Sequence, residues 1–415
     1  MKFLLKLLEK QDPLFHKGGK LEKLFPLWDA QSTFLFTPDE VTEKGPHVRD
    51  SIDLKRLMIT VVMALIPPTL FSFYNTGYQM AVAYGEHEVL SFWQMFANGA
   101  IANLPIILVS YATGGLWEGL FAVIRRHKIS EGFLVTGLLF PLTLPVTIPL
   151  WQVAVGVSFG VVIGKEIFGG TGMNIMNPAL TGRVFLFFSF PADISGAKVW
   201  IREFHPERFP YLDGFMFHDA SRALVDGYTG ATALLTVADV GKGGNPIAAL
   251  SNGGFANFEF LDLFIGLVPG SMGETSALAC LIGAAILIAT GVGSWQIIVS
   301  TIAGGFGMAF FLNLVAGPEL PGFLALPPLY HLVMGGFMFG AVYMATDPVS
   351  AAGTTGGKWI YGFLVGVLCI LIRVWNPAYP EGMMLAILFM NIFAPLIDHF
   401  VMQRNINRRL KRATQ

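Results

Sequence analysis

The chain has 415 residues, of which 53% are hydrophobic and only 13% carry a charge, with a formal net charge of −1. A soluble domain carries about 25% charged residues, so an ordinary water-exposed surface is excluded, and without a basic excess there is no case for nucleic acid as a partner. The two cysteines, Cys280 and Cys369, sit inside apolar runs without a Cys-x-x-Cys spacing, which excludes a zinc or iron–sulfur site built from this chain alone and reads as two buried reduced thiols.

Residues 1–56 form a mixed, charged N-terminal extension without an apolar core and cleavage site, so no cleavable signal peptide is expected. It reads as a short helix and loop lying on the membrane surface or against a partner. Apolar spans follow near 57–74, 104–124, 132–149, 151–168 and 179–191. A polar stretch, 192–273, separates them from a second set near 274–292, 295–315, 329–346, 359–375 and 382–401, and a basic tail closes the chain at 403–415. About 20 apolar residues cross the hydrocarbon core as a helix. The expected fold is therefore an all-α polytopic membrane protein of about ten transmembrane helices. These fall into two five-helix halves, 57–191 and 274–402. Such a plan suggests inverted halves, although no sequence repeat marks it.

Basic residues set the orientation. Lys55 and Arg56 precede the first span, Arg125, Arg126 and Lys128 follow the second, and Arg404, Arg408, Arg409, Lys411 and Arg412 follow the last. Lys and Arg in short flanking loops mark the cytoplasmic side. Ten spans satisfy all three clusters, with both termini cytoplasmic and 192–273 on the outer, periplasmic face. Trp151-Gln152 and Trp295-Gln296 would start spans of opposite direction, and those tryptophans read as interfacial belt.

Three constellations have chemical potential. The outer stretch contains Asp226-Gly227-Tyr228-Thr229-Gly230-Ala231-Thr232, where a threonine hydroxyl among small residues is open to a modifying enzyme; the same residues also suit a plain Gly-rich turn. Gly169–Ala179 (GGTGMNIMNPA) lies on the cytoplasmic side. Its glycines let backbone approach a ligand, and Asn174 and Asn177 offer donors and acceptors to a neutral heterocycle; a helix break with a capping Asn is the alternative. The Gly353–Lys358 run departs from a phosphate loop, with Ala352 at the first Gly position and Trp359 in place of Ser/Thr. Finally, Glu118, Asp347 and Asp398 stand in or beside apolar spans. A carboxylate at mid-membrane costs about 2.5–3.5 kcal/mol on insertion scales, so it calls for pairing or use. Glu118, deepest in its span, is the strongest candidate for ion handling, whereas Asp347 also suits a helix cap.

Five stretches in order along the chain resemble one family: His47-Val48-Arg49-Asp50-Ser51, GGTGMNIMNPAL, DGYTGATALL, MATDPVSAAGTTGGKW and NPAYPEGMMLAILFMNIFAPLIDHF. They are similar to the B subunits of the sodium-translocating NADH:quinone oxidoreductases, and the likeness covers the whole chain. The resemblance implies a translocase subunit of a six-subunit complex in the bacterial inner membrane, passing electrons toward ubiquinone coupled to Na+ movement among membrane lipids. It implies FMN joined by a phosphoester to Thr232, installed by a separate flavin transferase that reads Asp226, Gly227, Thr229, Gly230 and Ala231. Serine is commoner than threonine at the position of Thr229. It further implies riboflavin held by Asn174, Asn177 and Asp347, a quinone site at Gly114 and Gly115, and sodium uptake at Glu118, Asp398 and Asp29. NADH would be oxidised elsewhere, since this chain has no Rossmann fingerprint.

Three other readings stand beside it. The D subunit of the related ferredoxin:NAD+ oxidoreductase complex shares the flavin motif, but not the N-terminal extension. A small-solute channel or transporter explains the spans and leaves DGYTGAT unexplained. A passive membrane anchor does not account for Glu118.

Overall fold

In lipid, every backbone N–H and C=O must be satisfied within the protein, so an apolar run that crosses does so as helix. The computed structural model describes residues 13–15, 19, 21–29, 54–126, 129, 132–196, 198–202, 230–251, 258–376 and 381–413. Among these, helices are the only extended secondary structure. Five make up the first half: α1 (Leu54–Ala83), α2 (Phe92–Arg125), α3 (Gly132–Leu142), α4 (Leu150–Val162) and α5 (Pro178–Ser189). The second half has α6 (Ala277–Ala289), α7 (Trp295–Val315), α8 (Pro328–Val333), α9 (Thr355–Trp375) and α10 (Met383–Ala413). All ten expected spans thus fall on helical elements, and the protein is an all-α polytopic membrane protein. Six segments are long and apolar enough to cross: α1, α2, α4 extended to Phe168, α7, α9 and α10.

The remaining four are shorter than continuous spans, and two of them show why. The expected span 132–149 is helical only to Leu142; Pro145 and Pro149 lack backbone N–H groups, and the second part runs through turns. Backbone N–H groups of Met272 and Gly273 bond the carbonyls of Leu144 and Leu142 at 3.1 and 2.7 Å, replacing the missing helical bonds. The span 329–346 breaks at Met334–Gly336, where Gly335 takes φ +60°, and resumes through Phe337–Phe339 and a π-type turn, Gly340–Met344. Arg373 of α9, fully buried, closes the break by donating to the carbonyls of His331 (2.5 Å), Met334 (2.9 Å) and Glu381 (2.8 Å).

The packing repeats between halves. In the first, α2 packs on α3 and α4, and α5 on α3 and α4; in the second, α7 packs on α8 and α9, and α10 on α9 and the π-type turn. The third element of each half ends in a related segment, Thr143-Leu144-Pro145-Val146-Thr147 in one and Thr346-Asp347-Pro348-Val349-Ser350 in the other. The halves join where α1 meets α6, with the Tyr343 hydroxyl donating to the Ala64 carbonyl at 2.8 Å. Small residues allow the closest crossings: a side chain on Gly304 or Gly366 would collide with the backbone of Phe363 or Thr301 between α7 and α9. Trp151 and Trp295 are exposed at the helix starts, as interfacial residues are.

The stretch between the halves contains short helices, Ala233–Ala238, Pro246–Ser251 and Phe260–Ile265, rather than loop alone. Of the N-terminal extension, Glu22–Leu24 and the helical turn 25–29 are described, and Leu27 lies against Gly119 of α2, so this part rests on the chain itself. The cysteines are buried free thiols.

A labelling experiment tests the outer placement of the inter-half stretch. Gly241 faces open space, whereas Gly243 has φ +67° and would bring a side chain to 2.8 Å from the Pro318 carbonyl. Gly241→Cys is therefore expected to react with an impermeant thiol reagent in intact cells. Labelling only after the membranes are opened would reverse the topology.

Candidate functional site

Two clefts open on opposite sides of the half-helix Phe337–Met344. The first, of ≈ 790 Å³, is lined by Asn174, Asn177, Asp347, Lys165, Thr171 and Tyr343. The structure thus brings together three residues that lie up to 173 positions apart in sequence, Asn174, Asn177 and Asp347. Asn177 is also the N-cap of α5: its Oδ1 accepts from the N–H groups of Ala179 (3.0 Å) and Leu180 (3.3 Å), and Pro178 starts the helix. The capping reading holds; it uses the amide oxygen and leaves the amide nitrogen to donate. Asn174 donates to the Met176 carbonyl at 3.1 Å. Asp347 does not cap a helix; it accepts from the Ser350 hydroxyl at 2.6 Å and the Val349 N–H at 3.3 Å in a local turn.

Glu118 reaches the same cleft through its partner. Its carboxylate is buried and accepts from the Lys165 ammonium, which also donates to the Thr171 hydroxyl at 3.3 Å. Lys165 lies 3.7 Å from Glu166, and Glu166 is held by Arg125 at 3.1 Å. Four charges therefore alternate at the end of α4. A carboxylate at this depth calls for pairing or use, and the fold pairs it in an ion-paired chain, as burial of charge requires. The sequence signal was present in Lys165-Glu166 at the end of an apolar run. Asp29, half-buried, ends the turn whose Leu27 touches Gly119, next to Glu118.

Asp398 has a different setting. It accepts from the N–H groups of Gly353 (2.7 Å) and Thr354 (3.0 Å) and from the Thr354 hydroxyl (2.5 Å). A carboxylate from α10 thus takes the amides that a phosphate loop would present to its ligand, which agrees with the departures seen in the Gly353–Lys358 run. A further cavity lined by Asn174, Ser350, Asn391 and Asp398 adjoins this anchor.

Gly114 and Gly115 part company. A side chain on Gly114 would strike the Phe133 ring, so close packing explains it, whereas Gly115 has its nearest neighbour at 3.9 Å.

The second cleft, of ≈ 400 Å³, is lined by Thr232, Ser271, Glu274, Thr275, Gly336 and Glu381 among others. Thr232 is the N-cap of Ala233–Ala238, its Oγ1 accepting from Leu235 N–H at 3.2 Å. Gly230 and Ala231 precede it, while Asp226, Gly227 and Thr229 lie outside the described residues. Beneath Thr232, Arg183 of α5 bridges Glu274 (3.0 Å) and Glu381 (2.6 Å). Sequence reading did not single out these three, because each partner lies at least 91 residues from Arg183. Gly336 lines this cleft and Tyr343 the other, so the half-helix Phe337–Met344 lies between them.

Comparison with known proteins agrees with this architecture. A family model described as the NQR2, RnfD, RnfE family matches residues 41–407. The chain is 48% identical to the B subunit of the Na(+)-translocating NADH-quinone reductase of Chromohalobacter salexigens, over 98% of this chain and 95% of that one. It is 48% identical to the protein of the same name from Stutzerimonas stutzeri, over 98% of each, and 46% identical to that of Pseudomonas paraeruginosa, over 99% of each. These matches run nearly end to end through both halves and both clefts, and the chain belongs to the NQR2, RnfD, RnfE family.

Proposed function

We propose that the chain is the flavin-carrying membrane subunit of a sodium-translocating NADH:quinone reductase, a translocase of the bacterial inner membrane. It works with the other subunits of that complex and passes electrons toward ubiquinone. The observation that carries this reading is the pair of clefts separated by one half-helix, one with a threonine hydroxyl at its edge and one with two amides and a carboxylate. Flavin, when bound, supplies one- and two-electron chemistry that no side chain here has.

The residues fit two flavins differently. Thr232 offers its oxygen to a flavin transferase for a phosphoester with FMN, with Asp226, Gly227, Thr229, Gly230 and Ala231 as the recognition motif. Asn174, Asn177 and Asp347 would hold an uncharged riboflavin in the inner cleft by hydrogen bonds to its heteroatom edge, and Lys165 would stand beside it. The apolar walls, Leu57, Met58, Leu139 and Leu287, exclude water. Glu118, Asp29 and Asp398 would take up sodium from the cytoplasmic side, where oxygen ligands suit a hard cation.

Asn177→Asp tests the inner cleft, because it keeps the capping oxygen and removes the amide donor. The loss of one buried hydrogen bond costs about 1–3 kcal/mol, so extractable riboflavin is expected to fall while FMN on Thr232 stays. Full retention of riboflavin in this variant and in Asn174→Leu would remove both residues from the site. Gly115 is the quinone-facing member of its pair. Gly115→Val is expected to raise the KM for ubiquinone at normal flavin content, and an effect on assembly alone would make it a packing residue like Gly114.

A further inference from the structure

We propose that Glu274 and Ser271 form a small-cation site on the outer half of the protein, beneath Thr232. Glu274 is 5% exposed and Ser271 3%. One Glu274 oxygen accepts from Arg183 at 3.0 Å; the other, Oε2, has no hydrogen-bond partner among the described residues, and neither does the Ser271 hydroxyl. The Ser271 hydroxyl stands beside the Glu274 carboxylate without the geometry of a hydrogen bond. Both residues line the second cleft, and the two unsatisfied oxygens are themselves buried. Buried polar atoms are otherwise almost always satisfied.

The charges around the cleft leave a cation's place open. Glu274 and Glu381 share the guanidinium of Arg183. A second buried cation near the cleft, Arg373, is committed to three backbone carbonyls and to the face of Phe337. Carboxylate, hydroxyl and backbone oxygens are hard donors, which excludes a soft transition metal. Two carboxylates sharing one guanidinium leave a single negative charge, which balances a monovalent ion and not a divalent one. Broken helices provide such ion sites in transporters, and Gly335 and Gly336 of the break at Met334–Gly336 line the same cleft.

A polar route continues outward from it. Thr275, also in the cleft wall, accepts from Asn75 at 3.3 Å, and Asn75 in turn accepts from Gln79 at 3.3 Å, one turn nearer the outer end of α1. The site lies across the half-helix Phe337–Met344 from Glu118, so it is a second station and not an extension of the first.

The inference rests on the reading of the chain as part of a sodium-translocating complex. Its test is equilibrium binding of radioactive sodium to the purified, flavin-loaded complex without NADH or quinone. Glu274→Gln is expected to remove one bound sodium per complex. Ser271→Ala, which leaves the Arg183 pair intact and guards against a folding defect, is expected to weaken that sodium about tenfold. The same sodium should remain in a Glu118→Gln/Lys165→Met background. Wild-type binding in both Glu274→Gln and Ser271→Ala overturns the site while leaving the reading of the chain in place. A wild-type complex that binds no sodium overturns both.

Discussion

Thr232→Ala is expected to abolish covalent flavin completely. On a denaturing gel, chain produced together with the flavin transferase should show a fluorescent band, and the variant none. The hydroxyl is the only group this substitution removes from the second cleft besides a methyl. Thr232 also caps a short helix, and loss of such a cap costs about 0.5–2 kcal/mol, too little to unfold the surrounding bundle. Thr232→Ser should keep both the cap and the band, separating chemistry from stability. A band that persists in the alanine variant moves the attachment, with Thr229 as the next candidate.

The second large effect concerns Lys165. Its ammonium is buried between Glu118 and Glu166, and removing one partner of a buried pair costs about 3–5 kcal/mol. Lys165→Met strands the Glu118 carboxylate, whereas Glu118→Gln leaves the ammonium within 3.7 Å of Glu166. The lysine variant is therefore expected to lose more assembled complex from membranes than the glutamine variant. The double variant, with no charge left over, should recover. In that recovered protein, a higher sodium requirement for half-maximal turnover would assign Glu118 to the ion path. An unchanged requirement would make the pair structural, and single variants that assemble like wild type would contradict the pair itself.

The spans and their order were legible because lipid leaves so few options: apolar runs at 57–74 or 359–375 have no alternative to helix. What the pattern hid is how some spans end. The run from Leu329 to Thr346 is continuously apolar apart from His331, so hydropathy cannot register the break at Gly335, though the Gly335-Gly336 pair marks it. Site residues were legible where chemistry is local. Asn177 announces a cap by preceding Pro178, and Thr232 belongs to a compact motif. Pairings were not: nothing in the sequence ties Lys165 to Glu118, or Arg183 to Glu274, because burial and partner choice are set by helix packing. Arg183 and Arg373 stand inside apolar runs and could have been flagged by the insertion cost alone.

The borrowed hydrogen bonds at the two broken elements also impose an order of birth. A ribosome adds about 5–20 residues per second. The carbonyls of His331 and Met334 wait for Arg373, 42 and 39 residues later, a delay of about 2–8 s. Those of Leu142 and Leu144 wait for Gly273 and Met272, about 130 residues later and so about 6–26 s. During that interval the end of α3 holds unsatisfied carbonyls that hydrocarbon tolerates poorly. The nascent first half must then shelter against the insertion machinery or a wet vestibule until the second half arrives. Chains truncated before Met272 should accordingly cross-link to that machinery for longer than chains that extend past Ala289.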